Sequence, residues 1–360
     1  MKTQLIKRAL VASVLASSLS AWCTPVWADP MDSAQQDAQA PAAADPQAAT
    51  LEPAPTLQPA PTLEPAPTLA PAPTMTPAAT PAAAAASDER LIGSDKLLLT
   101  GGVTELDGSA GGGLTPWAVI GGNGTRDEIG ANAFYTHVNT QAYDLNDAGV
   151  LVGFYNRLEL SFSQQRFDTE NVGAALGLGR GFTLDQNTFG VKVKLAGDAL
   201  LDQDSWMPQI SAGIQYKTND EGGVHGLLES IGAKGTTGTD FYVSATKLFL
   251  DQSLLLNGTV RLTKANQLGI LGFGGDLNDN YKAEFEGSAA FLLSRNIALG
   301  AEYRMKPSNL GIAKEDDWYD AFLAWAPTKN ISITLAYAYL GTVVIEDHQR
   351  GLYASAQVGF

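Results

Sequence analysis

The sequence is poor in cysteine, histidine and basic residues. Its one cysteine, Cys23, lies near the N-terminus, so the rest of the chain can form no disulfide and has no thiol chemistry. The 23 Lys and Arg residues are outnumbered by 38 Asp and Glu residues, which gives a net charge of −15. A chain this acidic is not expected to bind nucleic acid. Beyond the N-terminal region no apolar run reaches the roughly 18 residues of a membrane-spanning helix, so only strands could cross a membrane there.

Residues 1–28 predict a cleaved export signal. Basic residues precede a short apolar run at 9–21, and Val26-Trp27-Ala28 places small residues at both positions that a signal peptidase requires. An N-terminal membrane anchor is the alternative. Lipidation of Cys23 is not expected, because Trp22 occupies a position where a lipoprotein signal has a small residue.

Residues 29–88 are rich in proline, alanine and threonine. A six-residue unit, TLEPAP, begins at Thr50 and recurs with small changes up to residue 73. Proline at this density removes backbone donors and blocks helix, which predicts a disordered, extended periplasmic linker. A plain spacer and a contact with peptidoglycan or another periplasmic partner both remain open.

From residue 115 the pattern changes to alternation of apolar and polar residues, and the strongest segments have up to 13 residues. Strands of soluble proteins average about 5–6 residues, whereas strands that cross a membrane need about 9–11. Together these segments predict an all-β fold, a transmembrane antiparallel up-and-down barrel of about 12 strands. Eight segments are strong and four are weaker: 150–162, 189–195, 210–216, 254–262, 281–293, 297–305, 331–339 and 352–360, then 116–121, 129–143, 240–250 and 318–326.

Charged side chains in the strong segments all lie on the face opposite the apolar one. In a barrel this face lines the lumen, so these residues are candidate lumen-lining residues. Either their charges pair and seal the lumen, or they line a water-filled path for small solutes. The set consists of Arg157, Glu159, Lys192, Lys194, Arg261, Lys282, Glu284, Glu286, Glu302 and Arg304.

The connections between segments alternate between short and long, as periplasmic turns and extracellular loops do. Short connections are expected at 144–147, 200–208, 251–253, 294–296 and 327–330. Longer ones are expected at 122–128, 163–187, 217–239, 264–280, 306–317 and 341–350. In this orientation two aromatic girdles are predicted, with Trp117, Trp206 and Trp325 at the inner rim and Tyr281, Tyr303 and Tyr339 at the outer rim.

Two further features concern the lumen. The long connections contain apolar runs at 172–178 and 268–273, which either fold into the barrel mouth, capture a hydrophobic small molecule or contact lipopolysaccharide. Residues 89–114 are rich in glycine and form either a plug inside the lumen or a periplasmic lead-in.

No catalytic residue, metal site or cofactor is predicted. The three histidines are far apart in sequence and lack metal-ligand spacing. Outer-membrane phospholipases have a His-x-Ser-Asn-Gly run, but His137 is followed by Val138-Asn139-Thr140, so the match fails. An enzyme is therefore not expected.

The sequence resembles an uncharacterised proteobacterial outer-membrane β-barrel family. The resemblance is carried by residues 99–103, by Gly111-Gly112-Gly113-Leu114-Thr115-Pro116-Trp117-Ala118 and by Gly179-Arg180-Gly181-Phe182, and it covers about residues 91–360. It implies an integral protein of the bacterial outer membrane without implying a solute. The C-terminal strand also resembles the signal that the barrel assembly machinery recognises, which implies that role for Leu352, Val358 and Phe360.

Three hypotheses of function follow. The first is a channel for passive passage of a small solute, including a hydrophobic one. The alternatives are a structural or assembly protein with a closed lumen and an enzyme that modifies lipid at the outer leaflet. The expected partners are outer-membrane lipid and lipopolysaccharide, the barrel assembly machinery and, through the linker, a periplasmic protein or peptidoglycan.

Overall fold

The computed structural model describes residues 96, 98–200, 202–219 and 224–360. The predicted export signal and the proline-rich linker lie outside the described residues. Within this part of the chain no helix is both long and apolar enough to span a membrane. The helical segments are short: Glu170–Ala175, Val224–Ser230 and a 3₁₀ turn at Gln267–Gly269.

The described residues form one closed antiparallel barrel. Each of its twelve strands pairs with the next along the chain, and the last strand pairs with the first to close the ring. The predicted fold class is confirmed. Ahead of the barrel, two 2-residue strands, β1 (Val103–Thr104) and β2 (Ala110–Gly111), pair with each other. The barrel strands are β3 Ile129–Thr140, β4 Asp144–Phe154, β5 Leu158–Asp168, β6 Thr183–Ala196, β7 Gln209–Asn219, β8 Thr237–Phe249, β9 Leu254–Thr263, β10 Lys282–Ser294, β11 Ile297–Arg304, β12 Trp318–Thr328, β13 Ile331–Val343 and β14 Glu346–Gly359.

The two ends of the barrel differ in their connections. One end, called the turn end, has the connections 155–157, 197–208, 250–253, 295–296 and 329–330 and also holds Phe360. The backbone N–H of Phe360 donates to Ala131 O at 2.7 Å at the start of β3, which extends the seam between the last and first strands. The other end, called the loop end, has the connections 141–143, 169–182, 220–236, 264–281, 305–317 and 344–345.

The outer surface of the barrel is apolar. On β13, Leu335 and Tyr337 are each 54% exposed, whereas Ala336 and Ala338 between and beyond them are buried in the interior. The same alternation makes Val191 and Val193 exposed on either side of the buried Lys192. A belt of exposed apolar side chains around a closed barrel has its stable surroundings in lipid, because every strand edge is paired.

The aromatic side chains at the belt's edges agree with the prediction except at one position. Tyr281 and Tyr303 are exposed near the loop end, and Trp206 and Trp325 are exposed near the turn end. Trp117 is not in a girdle: it is 5% exposed, and its indole N–H donates to the inward-facing Ser288 at 3.0 Å.

Two predicted segments were assigned wrongly. The segment 150–162 is not one strand but the end of β4 and the start of β5, joined by the turn at 155–157. Conversely, 116–121 is not a barrel strand but lies inside the barrel, and the connections expected at 122–128 and 144–147 are therefore wrong. The two errors cancel, so the predicted number of strands equals the observed number.

Candidate functional site in the barrel interior

Residues 103–121, called here the internal segment, lie inside the barrel. They hydrogen-bond to strands on opposite sides of the ring: Thr104 Oγ1 donates to Gln357 Oε1 on β14 at 2.6 Å, and the backbone N–H of Ala118 donates to Thr246 Oγ1 on β8 at 2.7 Å. All 19 residues of the segment are buried. Of the two alternatives for the glycine-rich region, these contacts support a plug.

One anchor of the internal segment is the ion pair between Glu159 on β5 and Lys192 on β6, whose closest atoms are 3.1 Å apart. The Glu159 carboxylate accepts hydrogen bonds from the backbone N–H groups of Ala110 at 3.0 Å and Gly121 at 2.7 Å. The Lys192 ammonium donates to Ala110 O at 2.8 Å and to Val119 O at 3.1 Å. The pair therefore binds both donors and acceptors of the segment's backbone.

A second anchor is the Glu302 carboxylate on β11. One of its oxygens accepts from the backbone N–H groups of Gly113 at 2.6 Å and Leu114 at 2.7 Å. The other oxygen accepts from the hydroxyls of Thr115 at 2.6 Å and Ser288 at 2.7 Å. A Cβ atom at residue 112 would overlap this carboxylate, so glycine lets the backbone approach this closely without a shift of the Glu302 side chain.

The centre of the interior holds a network of buried charges around Asp107. Its carboxylate is 2.7 Å from Lys217 Nζ, 2.9 Å from Arg304 Nη2 and 3.6 Å from Arg261 Nη1. Asp240 is a second partner of Lys217, and Glu286 is a second partner of both arginines. Charges this deeply buried are tolerated only when paired, and removing one member of such a pair costs about 3–5 kcal/mol.

The interior thus contains most of the predicted lumen-lining residues. Glu159, Lys192, Arg261, Glu284, Glu286, Glu302 and Arg304 are all buried. Lys194 and Lys282 are half-buried nearer the barrel ends, and Lys194 pairs with Asp198 at 3.1 Å. Arg157 does not line the lumen: it is exposed in the three-residue turn between β4 and β5, where the alternation of faces is interrupted.

Several residues of the network were not predicted. The strong segment 210–216 stopped one residue before Lys217, which β7 includes, and Asp240 lies on a strand with weak alternation. Glu105 and Asp107 belong to the internal segment, which lacks a strand pattern. In the sequence, only the spacing of these two acidic residues within a glycine-rich region could have indicated that they take part in the network.

The loop end is closed by residues of the β9–β10 connection, which fold into the barrel mouth. Leu268 O accepts from Lys217 Nζ at 2.9 Å, and Gly269 O accepts from Asn219 Nδ2 at 3.0 Å. Beneath this connection is an apolar cavity of about 40 Å³ that Leu106 and Leu114 of the internal segment also line. Of the other apolar run, 172–178, Val172 and Gly173 are buried.

A buried ion pair within the β11–β12 connection is joined to the β9–β10 connection by a hydrogen bond. Lys306 Nζ is 2.7 Å from Glu315 Oε2 and 4.2 Å from the centre of the Trp318 ring. Glu315 Oε1 accepts from the backbone N–H of Gln267 at 2.9 Å. Burial raises the pKa of Glu315 and lowers the pKa of Lys306, so each charge depends on the other.

Two of the three histidines have polar side-chain partners. His137 Nδ1 is 2.9 Å from Asn146 Oδ1, and the residue two positions after His137 is Asn139, whose amide donates to Asp144. His348 contacts the Tyr339 hydroxyl at 3.1 Å. In the described part of the chain, no three His, Cys, Asp or Glu side chains are grouped as a metal site.

A closed even-stranded barrel with an apolar belt and a charged, filled interior defines an integral protein of the bacterial outer membrane. The chain belongs to the family described as protein of unknown function DUF3034, whose model matches residues 100–357. This confirms the resemblance to an uncharacterised outer-membrane barrel family. No curated protein sequence matches the chain.

Among solved structures, the chain is similar to a porin named KdgM, with 10% identity and a TM-score of 0.42 over 64% of this chain and 99% of that one. It is also similar to the COG4313 outer membrane channel from Pseudomonas putida F1, with 11% identity and a TM-score of 0.42 over 70% and 100% of the two chains. The outer membrane phospholipase A from Escherichia coli has 9% identity and a TM-score of 0.35 over 63% and 92%.

Proposed function

We propose that this protein is an outer-membrane channel for a small solute and that the internal segment closes it. The observation that carries the proposal is that hydrogen bonds and ion pairs anchor the segment to the wall at several places. Water can replace such contacts, and the wall that remains is polar and charged, as the lining of an aqueous channel is.

The dimensions and the loop-end cavity suggest the kind of solute. A barrel of twelve strands is narrower than a general porin, so the path suits small molecules. The cavity under the β9–β10 connection is lined mostly by apolar side chains, among them Leu106, Leu271 and Leu340. A solute with an apolar part would displace few polar contacts on entering there.

Planar-bilayer recordings test the channel role. We expect small or rare conductance steps for the full chain and larger, frequent steps for a variant that lacks residues 98–121. Because the deletion removes the backbone partners of Lys192 and Glu302, a second variant, Gly112→Ala, keeps the whole segment but forces residue 112 and the Glu302 carboxylate apart. If both variants are folded barrels and remain silent, the channel proposal is wrong.

A structural protein with a closed lumen is the second candidate. The network around Asp107 favours it, because Lys217, Arg261 and Arg304 are all satisfied and hold the segment tightly. The same recordings separate the two, since a structural barrel stays silent when Gly112 is substituted.

The expected partners remain predictions. The apolar belt suits membrane lipid, and the loop end is where lipopolysaccharide would be met in the predicted orientation. Recognition of Phe360, Val358 and Leu352 by the assembly machinery is compatible with their exposed side chains on the outer face.

A further inference from the structure

The inner wall of the barrel is divided into two unequal parts. The wall of β5–β11 has ten buried charged side chains: Glu159, Lys192, Lys217, Asp240, Lys247, Arg261, Glu284, Glu286, Glu302 and Arg304. The remaining wall, formed by β12, β13, β14, β3 and β4 and called here the sparse wall, has only Asp147 and Asp320. Much of it is small, with Ala336, Ala338 and Ser355 facing inward.

Two cavities lie along the sparse wall, one near each end of the barrel. The loop-end cavity of about 40 Å³ is lined by Val138 of β3, Ala338 of β13 and Tyr353 of β14. A turn-end cavity of about 30 Å³ is lined by Asn132 of β3 and Gln357 of β14. No residue of β6–β11 lines either cavity, so both lie on the side of the interior that the sparse wall forms.

The two carboxyl groups of the sparse wall have no basic partner among the described residues. Asp147 on β4 and Asp320 on β12 are 1% and 5% exposed, and no side chain donates a hydrogen bond to either carboxyl group. The backbone N–H of Glu302 faces Asp320. Neither is in an ion pair with any described Lys or Arg residue. A buried carboxyl group without a basic partner stays protonated, and it ionises once water reaches it. If the path along this wall is hydrated, the two groups therefore add negative charge to it.

Thr104 of the internal segment separates the two cavities. Its hydroxyl donates to Gln357, which lines the turn-end cavity, and its carbonyl accepts from Tyr353, which lines the loop-end cavity, at 3.4 Å. Tyr353 and Gln357 are four residues apart on β14, about 13 Å along the strand. The contacts of Thr104 thus join a lining residue of one cavity to a lining residue of the other.

We infer that the solute path of the proposed channel runs along the sparse wall, that Thr104 closes it between Tyr353 and Gln357, and that Asp147 and Asp320 make it prefer cations and neutral solutes over anions. The inference rests on the proposed channel function. The wall of β5–β11 then has a different role, which is to hold the internal segment through its paired charges.

Cysteine accessibility tests the position of the path. In a Cys23→Ser, Gly112→Ala background, Ser355→Cys places a thiol on the sparse wall, and Ser211→Cys places a matched thiol on β7, where Ser211 contacts Ala118 O at 2.5 Å. We expect a cationic methanethiosulfonate reagent to reduce the current of Ser355→Cys at least severalfold faster than that of Ser211→Cys. Faster block at residue 211, or block at neither position, overturns the proposed path. If neither this background nor the variant that lacks residues 98–121 shows current, the channel function itself is wrong.

Ion selectivity tests the role of the two carboxylates. We expect Asp147→Asn with Asp320→Asn to lower the ratio of cation to anion permeability roughly two- to tenfold, measured as reversal potential in a salt gradient. The matched control is Asp185→Asn, because Asp185 pairs with Arg166 at 2.9 Å on the outer face. An unchanged ratio in the double variant, or an equal change in the control, overturns the assignment.

Discussion

At the scale of single residues, the interior is organised by carboxylates and amines that bind backbone groups distant in sequence. Glu302 shows what alternation can and cannot predict. Its inward direction followed from the pattern of β11, but its partners, Gly113 and Leu114, are almost 190 residues away along the chain. Pairing at such separations depends on barrel closure, which a local pattern does not contain.

Lys96 provides a prediction of pH dependence at this scale. Its ammonium donates to Ile120 O at 2.5 Å, and burial lowers its pKa from 10.5 to about 8. The charges around it partly cancel, because Glu159 and Asp198 raise the pKa while Lys192 and Lys194 lower it. A folded pKa below the unfolded value means that this residue's contribution to stability is complete above about 10.5 and is lost as the pH falls through 8.

We therefore expect the chain near Lys96 to be better protected from proteolysis at pH 9.5 than at pH 7, since its amine is mostly neutral at the higher pH. The measurement is the rate of cleavage at residues 96–102, normalised to a Lys96→Met variant. This variant has no titrating group at the position and serves as the control. A ratio that does not change between the two pH values contradicts the prediction.

At the scale of elements, strands could be predicted where the alternation was strong, and turns could be predicted where they contain residues that favour turns. The turn at 155–157 was not predicted because the alternation continues across it. Even-numbered residues face outward on both sides of the turn, so Phe154 and Leu158 lie on the same face. Tyr155 and Asn156 have φ values of 53° and 50°, a conformation usually marked by glycine in tight hairpins. A tyrosine there gives no such signal. The inward-folded β9–β10 connection was one of three alternatives, since an apolar run does not reveal what covers it.

The two loop-end connections joined by Glu315 provide the prediction at the element scale. Glu315→Gln keeps the shape of the side chain but leaves Lys306 without its partner, which costs about 3–5 kcal/mol for a buried pair. We expect faster amide hydrogen exchange at 266–272 and 305–317, with exchange in the strands unchanged. The reason is that only these connections depend on the pair.

Rescue distinguishes the pair from a general packing defect. The double variant Lys306→Met, Glu315→Gln removes both charges of this pair. Replacement of a buried ion pair by uncharged groups of similar volume often leaves the stability unchanged. We expect the double variant to regain most of its protection. Protection that is lost equally in the single and double variants would instead assign the closure of the loop end to packing around Trp318.

At the scale of the whole molecule, the barrel joins two surfaces of opposite character. The outer face repeats apolar residues at every second position, and the inner face holds charges that satisfy the internal segment. Segregation of the two faces was predictable because it is periodic. The occupant of the interior was not, because residues 116–121 are apolar enough to be mistaken for a lipid-facing strand, although Pro116 lacks the backbone donor that a central strand needs.

Embedding in a bilayer gives the prediction at this scale. Leu335 lies near the middle of β13 and is 54% exposed on the outer face, whereas Leu277 is 66% exposed in the β9–β10 connection. If the belt contacts hydrocarbon, Leu335→Arg should lower the free energy of unfolding in lipid vesicles by about 2–4 kcal/mol, as lipid-facing arginines near the bilayer midplane do.

Leu277→Arg makes the same chemical change at a position that water reaches, so its free energy of unfolding should stay within about 0.5 kcal/mol of the unsubstituted protein. Urea titration of both variants in vesicles measures the difference, and equal values would mean that solvent exposure in the barrel belt is exposure to water rather than to lipid.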